Sequence, residues 1–240
     1  MRPGAAKVGR VELAYLLVHS PLLGPRSWRP VAERLAAAGA TVAVPSLVHI
    51  ADDGPPFAAG VAAAAAAAVP PTGRPVAVVA HSSAGLFVPA IVEALGGTAA
   101  ACVFAEATLP AREGPSRAAT PERLEVLRGM VRDGRLPRWT DWWDDVAPLF
   151  PDPATQREVA AEQPRLPLSY YTEPIPNPPG WTALPCGYIL FSPAYRPVAA
   201  EARERGWPVV EMPGRHCHQL VDPDAVTAAV VALAGGARAA

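Results

Sequence analysis

The chain has 240 residues, half of them hydrophobic, and a formal net charge of −1. That length and apolar content suit one domain with a substantial core. The near-zero charge without a dense Lys/Arg run excludes an ordinary nucleic-acid binder, and the lack of about 18 consecutive apolar residues argues against a membrane span. Residues 1–10 are polar and contain Gly and Pro, which does not match a secretory leader. Cys102, Cys186 and Cys217 form no CxxC pair and no zinc spacing, so reduced thiols and a cytoplasmic location are expected.

In chain order, short β-rich runs alternate with helix-like runs. Strands are expected at 11–18, 41–45, 75–80, 101–106, 186–191 and 208–212. This alternation specifies an α/β fold with a mostly parallel sheet covered by helices on both faces. Ser27 is placed to cap a helix whose buried face is Trp28, Val31 and Leu35 and which Gly39 ends. A second helix over 86–95 carries Phe87, Ile91 and Leu95 on one side and stops at Gly96–Gly97. The last opens at Asp222–Pro223, buries Val226, Val230 and Leu233, and is stopped by Gly235–Gly236. Residues 111–183 break the rhythm. They are rich in Pro, Trp and charge, with one clear helix start at Thr120–Pro121–Glu122 and an apolar face of Leu124 and Leu127. A bare loop of that length is uncommon. The expected division is therefore a core of 1–110 and 184–240, with 111–183 as an inserted helical cap.

The sharpest local signal is Ala80-His81-Ser82-Ser83-Ala84-Gly85, where a buried apolar strand runs into a helix without a loop. So tight a junction needs small residues around its centre. It lifts the central hydroxyl above the sheet and aims the first helical amides at whatever Ser82 attacks. This run resembles the G-H-S-x-G-G nucleophile elbow of the α/β-hydrolase superfamily, with Ala in place of both outer glycines. Downstream, Glu211-Met212-Pro213-Gly214-Arg215-His216-Cys217-His218, followed by Asp222–Pro223, resembles that superfamily's last strand, histidine loop and final helix. The resemblance implies Ser82 as nucleophile and His216 as general base, with His218 as competitor.

The acid is displaced. In most of the superfamily it follows the penultimate strand, but here that strand continues Ser192-Pro193-Ala194-Tyr195-Arg196 and reaches no carboxylate before Glu201. Glu106, which ends the strand after the elbow helix, occupies a position that some members use. Its alternatives are a pairing with Arg112 or a backbone amide, or a dyad with no acid. The first strand ends His19-Ser20-Pro21-Leu22, resembling the family's oxyanion loop. Pro21 has no N–H to give. Ser83 would supply one donor, leaving the Leu22 amide, the Ser20 hydroxyl or nothing as the second.

Trp139, Trp142, Trp143, Tyr170, Tyr171 and Trp181 crowd the 111–183 segment. As a group they suit an apolar pocket. Trp139, Trp142 and Trp143, together with His81 of the elbow, are the candidate substrate-binding residues. Asp141, Asp144 and Asp145 read as a solvated helix face. No nucleotide, flavin or metal motif is present, so no cofactor is expected. The implied partner is a small-molecule substrate, without nucleic acid or membrane, and the oligomeric state is not encoded legibly.

The expectation is thus a serine hydrolase acting on an ester, thioester or lactone of a small apolar or aromatic acyl group. Two rivals accompany it: a lyase or cyclase using Ser82 and His216 for proton transfer, and a non-catalytic binding member of the fold. A haloalkane dehalogenase would need Asp where Ser82 stands.

Overall fold

The computed structural model describes residues 12–236. Residues 1–10, read above as polar and without a leader, and Val11 of the first expected strand lie outside them. Among the described residues six strands form one sheet in the order β2-β1-β3-β4-β5-β6, and every pairing is parallel. They are β1 (Ala14–Val18), β2 (Thr41–Ala43), β3 (Val76–His81), β4 (Ala99–Ala105), β5 (Cys186–Leu190) and β6 (Val209–Glu211). All six expected strands are present, with boundaries within three residues of those expected.

The period-two geometry of a strand sends alternate side chains to opposite faces. Leu16, Val18, Val78, Ala80, Cys102, Phe104 and Tyr188 therefore join one buried cluster, with Phe57, Val61, Ile91 and Ala199 from the helices. Those helices are α3 (Phe57–Ala67), α4 (Val88–Ala94) and α8 (Arg196–Glu204), preceded by the short α2 (Ile50–Asp53). Tyr15, Leu17, Ala77, Val79, Val103 and Ile189 join the other cluster, with Trp28, Val31 and Leu35 of α1 (Arg29–Ala37) and its lead-in, and with Val226, Val230 and Leu233 of α10 (Pro223–Gly236). Each fully buried aliphatic contributes about 1.5–3 kcal/mol of transfer free energy, so the two clusters hold the sheet between its helical layers.

Several local expectations need correction. The turn Pro25–Trp28 is 3₁₀ and α1 starts only at Arg29. The Ser27 hydroxyl donates to the Gly24 carbonyl at 2.7 Å instead of accepting from a helical amide. Pro at the second helical position already removes one orphan N–H there. Gly39 does end α1 in the left-handed region, φ +83. The helix after β3 opens as a 3₁₀ turn, Ser82–Phe87, and becomes α4 at Val88, whose N–H bonds the Gly85 carbonyl. Pro89, at the second position of α4, has no N–H and so removes one orphan donor of the helix start. Asp222 caps α10 by accepting from Ala225 N–H at 2.9 Å, but the helix continues through Gly235 to Gly236.

Between β4 and β5 lie α5 (Pro121–Met130), α6 (Pro153–Glu162), α7 (Ser169–Thr172) and several 3₁₀ turns. Thr120 Oγ1 caps α5 by accepting from Arg123 N–H at 3.2 Å, and Leu127 is its buried contact. Asp141, Asp144 and Asp145 are exposed, but Asp141 lies within a 3₁₀ turn (Trp139–Trp142) and the other two follow it, so they form no helix face. Glu162 of α6 accepts from Arg26 N–H at 3.0 Å and from Arg26 Nε at 2.8 Å, which ties this segment to the loop after β1. The short α9 (His218–Val221) precedes α10.

A methyl group at Gly85 would sit 2.2 Å from the Thr108 carbonyl oxygen, whereas one at Gly129 in α5 would meet nothing within 4 Å. Gly85→Ala is expected to cost about 1–3 kcal/mol by forcing the backbone apart. Gly129→Ala should raise stability by up to about 1 kcal/mol. Thermal melts of the two variants check this, and a Gly85→Ala protein as stable as the parent would contradict it.

Candidate active site

β3 hands the backbone directly to the 3₁₀ turn, and Ser82 at the junction has φ +58. A non-glycine residue in that region carries strain that its surroundings must hold. Ala80 and Ala84 on either side are fully buried, so larger side chains have no room there. The Thr108 N–H donates to the Ser82 carbonyl at 3.1 Å, and the Thr108 carbonyl lies against Gly85. The turn after β3 is thus clamped to the chain leaving β4.

The loop after β6 brings His216 to this point. Its Nε2 lies 3.0 Å from Ser82 Oγ, and its ring is enclosed by Trp139 (centroids 5.7 Å), Tyr195 (5.2 Å, 22° between planes) and His81 (4.8 Å). His218 instead packs its ring against Phe191 and over Gly214, so His216 is the histidine that meets Ser82. Cys217 between them is fully buried, and burial pushes its thiol up to about 12, which leaves it protonated and unreactive.

Glu106 is fully buried, with φ +46 at the end of β4. Its Oε2 accepts from the N–H groups of Phe191 (2.7 Å) and Ser192 (3.1 Å), and its Oε1 accepts from the Ser192 hydroxyl. These donors offset the cost of burying a carboxylate. Because they belong to the end of β5, the Glu106 side chain fills the space where a carboxylate after that strand would stand. Glu106 Oε1 is 4.0 Å from His216 Nδ1, which has no hydrogen-bond partner. Arg112, considered above as a partner for Glu106, instead pairs with Glu204 and Glu201.

Two of the expected contact residues are placed differently. His81 does not line the cavity. Its ring is fully buried behind His216, and its Nε2–H donates to the His216 carbonyl at 2.8 Å. Burial, reinforced by nearby His216, holds its pKa well below 6.5. It is a neutral brace under the histidine loop and not a substrate contact. Leu22 does line the cavity, but its N–H donates to Ser20 Oγ at 3.2 Å, so that amide is not free for an oxyanion. Ser20 Oγ also meets Ser83 Oγ at 3.1 Å. The Ser83 amide, in the first turn of its helix, has no preceding helical carbonyl to bond. His19 anchors the same loop: Nδ1–H donates to the Ser20 carbonyl at 2.8 Å, and Nε2 accepts from Leu47 N–H at 3.0 Å.

Above Ser82 opens a cavity of about 1190 Å³. Trp139, Trp142 and Trp143 line it together with Leu149, Tyr171, Ser82, Ser83 and His216. Tyr170 and Trp181 do not reach it. They pack into the core, against Phe57 and Phe87 and against Phe104 and Trp207 respectively. Tyr195 and Thr108 belong to the site although no local motif marks them. Tyr195 lies on the cavity wall with its ring flat on His216 and its hydroxyl beside those of Ser82 and Thr108. Its one signal in the sequence is its place in the loop after β5. Among the described residues no helix is long and apolar enough to cross a membrane.

A parallel sheet with a strained serine at a strand-to-helix turn, and a histidine from the loop after the last strand on its hydroxyl, defines an α/β-hydrolase architecture. A family model described as the alpha/beta hydrolase family matches residues 15–229, and the chain belongs to that family. Solved structures resemble it at low identity. Tomato methylketone synthase I, as a variant bound to β-ketoheptanoate, is 14% identical, with a TM-score of 0.77 over 95% of this chain and 99% of that one. A pyrethroid hydrolase from Sphingobium faniae JZ-2 is 17% identical, with a TM-score of 0.67 over 92% and 97%. An extracellular alpha/beta-hydrolase from a Paenibacillus species is 16% identical, with a TM-score of 0.69 over 92% and 98%. A search of curated proteins found no match.

The buried histidines set an acid limit. Burial lowers the His19 pKa from 6.5 to about 4. Between those values the unfolded chain binds more protons than the native one. Stability is therefore full above about pH 6.5 and falls as pH drops toward 4, by on the order of 3 kcal/mol from His19. His81 acts in the same direction. Urea midpoints at pH 7.5 and 4.5 should show this loss. A His19→Asn variant should be less stable at pH 7.5 but lose less on acidification, and an unchanged loss would contradict the assignment.

Proposed function

We propose that this chain is a serine hydrolase that cleaves an ester, thioester or lactone of a small, apolar or aromatic acyl substrate. The observation that carries the reading is Ser82 Oγ, at a strained φ of +58, held 3.0 Å from His216 Nε2 on the wall of a tryptophan-lined cavity. In this reading His216 Nε2 takes the Ser82 proton as Oγ attacks the acyl carbon. Glu106, facing Nδ1, fixes the tautomer and stabilises the imidazolium. The oxyanion develops against the Ser83 amide at the helix start. The leaving group departs with the proton from His216, and water repeats the sequence to free the acid and restore Ser82. Residues 111–183 serve as the cap whose tryptophans select the acyl group.

Glu106 lies 4.0 Å from Nδ1, and catalytic hydrogen bonds are often longer before substrate binds. The names of the pyrethroid hydrolase and of polyneuridine aldehyde esterase, another structure of this fold, agree with ester cleavage. A second reading draws on the oxyanion side. Pro21 has no N–H and the Leu22 amide is taken by Ser20. One strong donor suits a reaction that develops little oxyanion charge, in which Ser82 and His216 only move protons.

Fluorophosphonate labelling with intact-mass readout, run beside p-nitrophenyl ester turnover, separates the two. Wild type is expected to gain one adduct and Ser82→Ala none. His216→Ala and Glu106→Gln should label and turn over roughly 10²–10⁴-fold more slowly. A wild type that neither labels nor cleaves any ester would overturn the hydrolase reading in favour of proton transfer.

A further inference from the structure

Ser82 has two flanks, set by the strand order. On the β1 side stand Ser20 and Leu22, and the Ser83 side chain reaches toward them. On the β4–β5 side stand Thr108 and Tyr195. If the oxyanion sits on the Ser83 side, the leaving group must depart on the other, toward the imidazole that protonates it. Tyr195 occupies that side. Its ring is stacked on His216 at 5.2 Å and 22°, its hydroxyl neighbours those of Ser82 and Thr108, and it forms part of the cavity wall.

We propose that Tyr195 is a catalytic residue whose hydroxyl donates a hydrogen bond to the oxygen of the leaving group as its bond to the acyl carbon breaks. The inference rests on the serine-hydrolase reading and deepens it. In that step the carbon–oxygen bond of the tetrahedral intermediate cleaves and the electron pair stays on the departing oxygen. His216 delivers the proton taken earlier from Ser82, while Tyr195 shares its own proton without losing it. Burial raises the Tyr195 pKa above its ordinary value of 10, so the hydroxyl stays a donor at neutral pH. The stacked phenol face also suits a His216 that becomes cationic in the same step.

The consequence is a preference for poor leaving groups. An alkoxide carries nearly full charge as it departs and needs the donor, whereas p-nitrophenolate disperses its own charge. The test is a set of esters of one short acyl group with p-nitrophenol, phenol, trifluoroethanol and ethanol. kcat/KM, which covers acylation, is compared between wild type and Tyr195→Phe.

Phe keeps the ring on His216 and removes only the hydroxyl. The variant is expected to lose about 10–100-fold on the alkyl esters, as for a hydrogen bond to a charged oxygen, and under about 3-fold on the p-nitrophenyl ester. The dependence on leaving-group pKa should thus steepen. An equal loss across the series would overturn the proposal in favour of a packing role against His216, and no loss would overturn it outright. Wild type that cleaves none of the esters would instead remove the hydrolase reading beneath it.

Discussion

The site depends on one backbone constraint, the loop-free passage from β3 into a helix at Ser82. The passage forces a positive φ on a serine, which is tolerated because the surroundings leave no alternative. Ala80 and Ala84 are fully buried, Thr108 N–H holds the Ser82 carbonyl, and Gly85 lies against the Thr108 carbonyl. The strained turn places Oγ 3.0 Å from the His216 imidazole nitrogen. Glu106, at the end of the neighbouring strand, is also a non-glycine residue with positive φ. The two strained residues stand side by side at the ends of β3 and β4, where strain tends to gather in functional sites.

Electrostatics complete the arrangement around His216. The Glu106 carboxylate is satisfied by three donors at the end of β5, and its Oε1 faces His216 Nδ1. The flanking imidazoles, His81 and His19, are kept neutral by burial, so neither competes as a cation for Glu106. His81 does mechanical work instead, donating to the His216 carbonyl and so joining the end of β3 to the loop after β6. Chain segments far apart in sequence are thereby fixed to one another, and Ser82, His216 and Glu106 are brought together between them.

The sheet was legible because strands buried on both faces read as apolar runs, and because Pro and Gly punctuate the helices. The elbow was legible because small residues around a serine at a strand–helix junction have few other causes. Glu106 stood out as a carboxylate ending an apolar strand. What pattern reading missed depends on tertiary proximity. Whether an amide is free cannot be seen in Ser20-Pro21-Leu22, where the Ser20 hydroxyl folds back on Leu22 N–H. His81 sits next to Ser82 in sequence, but strand alternation points its ring behind the site. Tyr195 gains its position only when β5 pairs with β4 and the loop after β5 folds over His216. In the 111–183 segment, the same residue type serves pocket and core: Trp139 faces the cavity while Trp181 is buried against Phe104, and local sequence does not distinguish them.

Whether Ser82, His216 and Glu106 act as one unit is decided by a crystal structure of the protein after reaction with an alkyl phosphonate. Such a triad predicts phosphorus on Ser82 Oγ and its oxygen on the Ser83 amide. It also predicts that His216 Nδ1 closes from 4.0 Å to hydrogen-bond distance, below about 3.2 Å, from Glu106. Phosphorus on any other residue, or an adduct in which Nδ1 still lacks Glu106 as its partner, would contradict it.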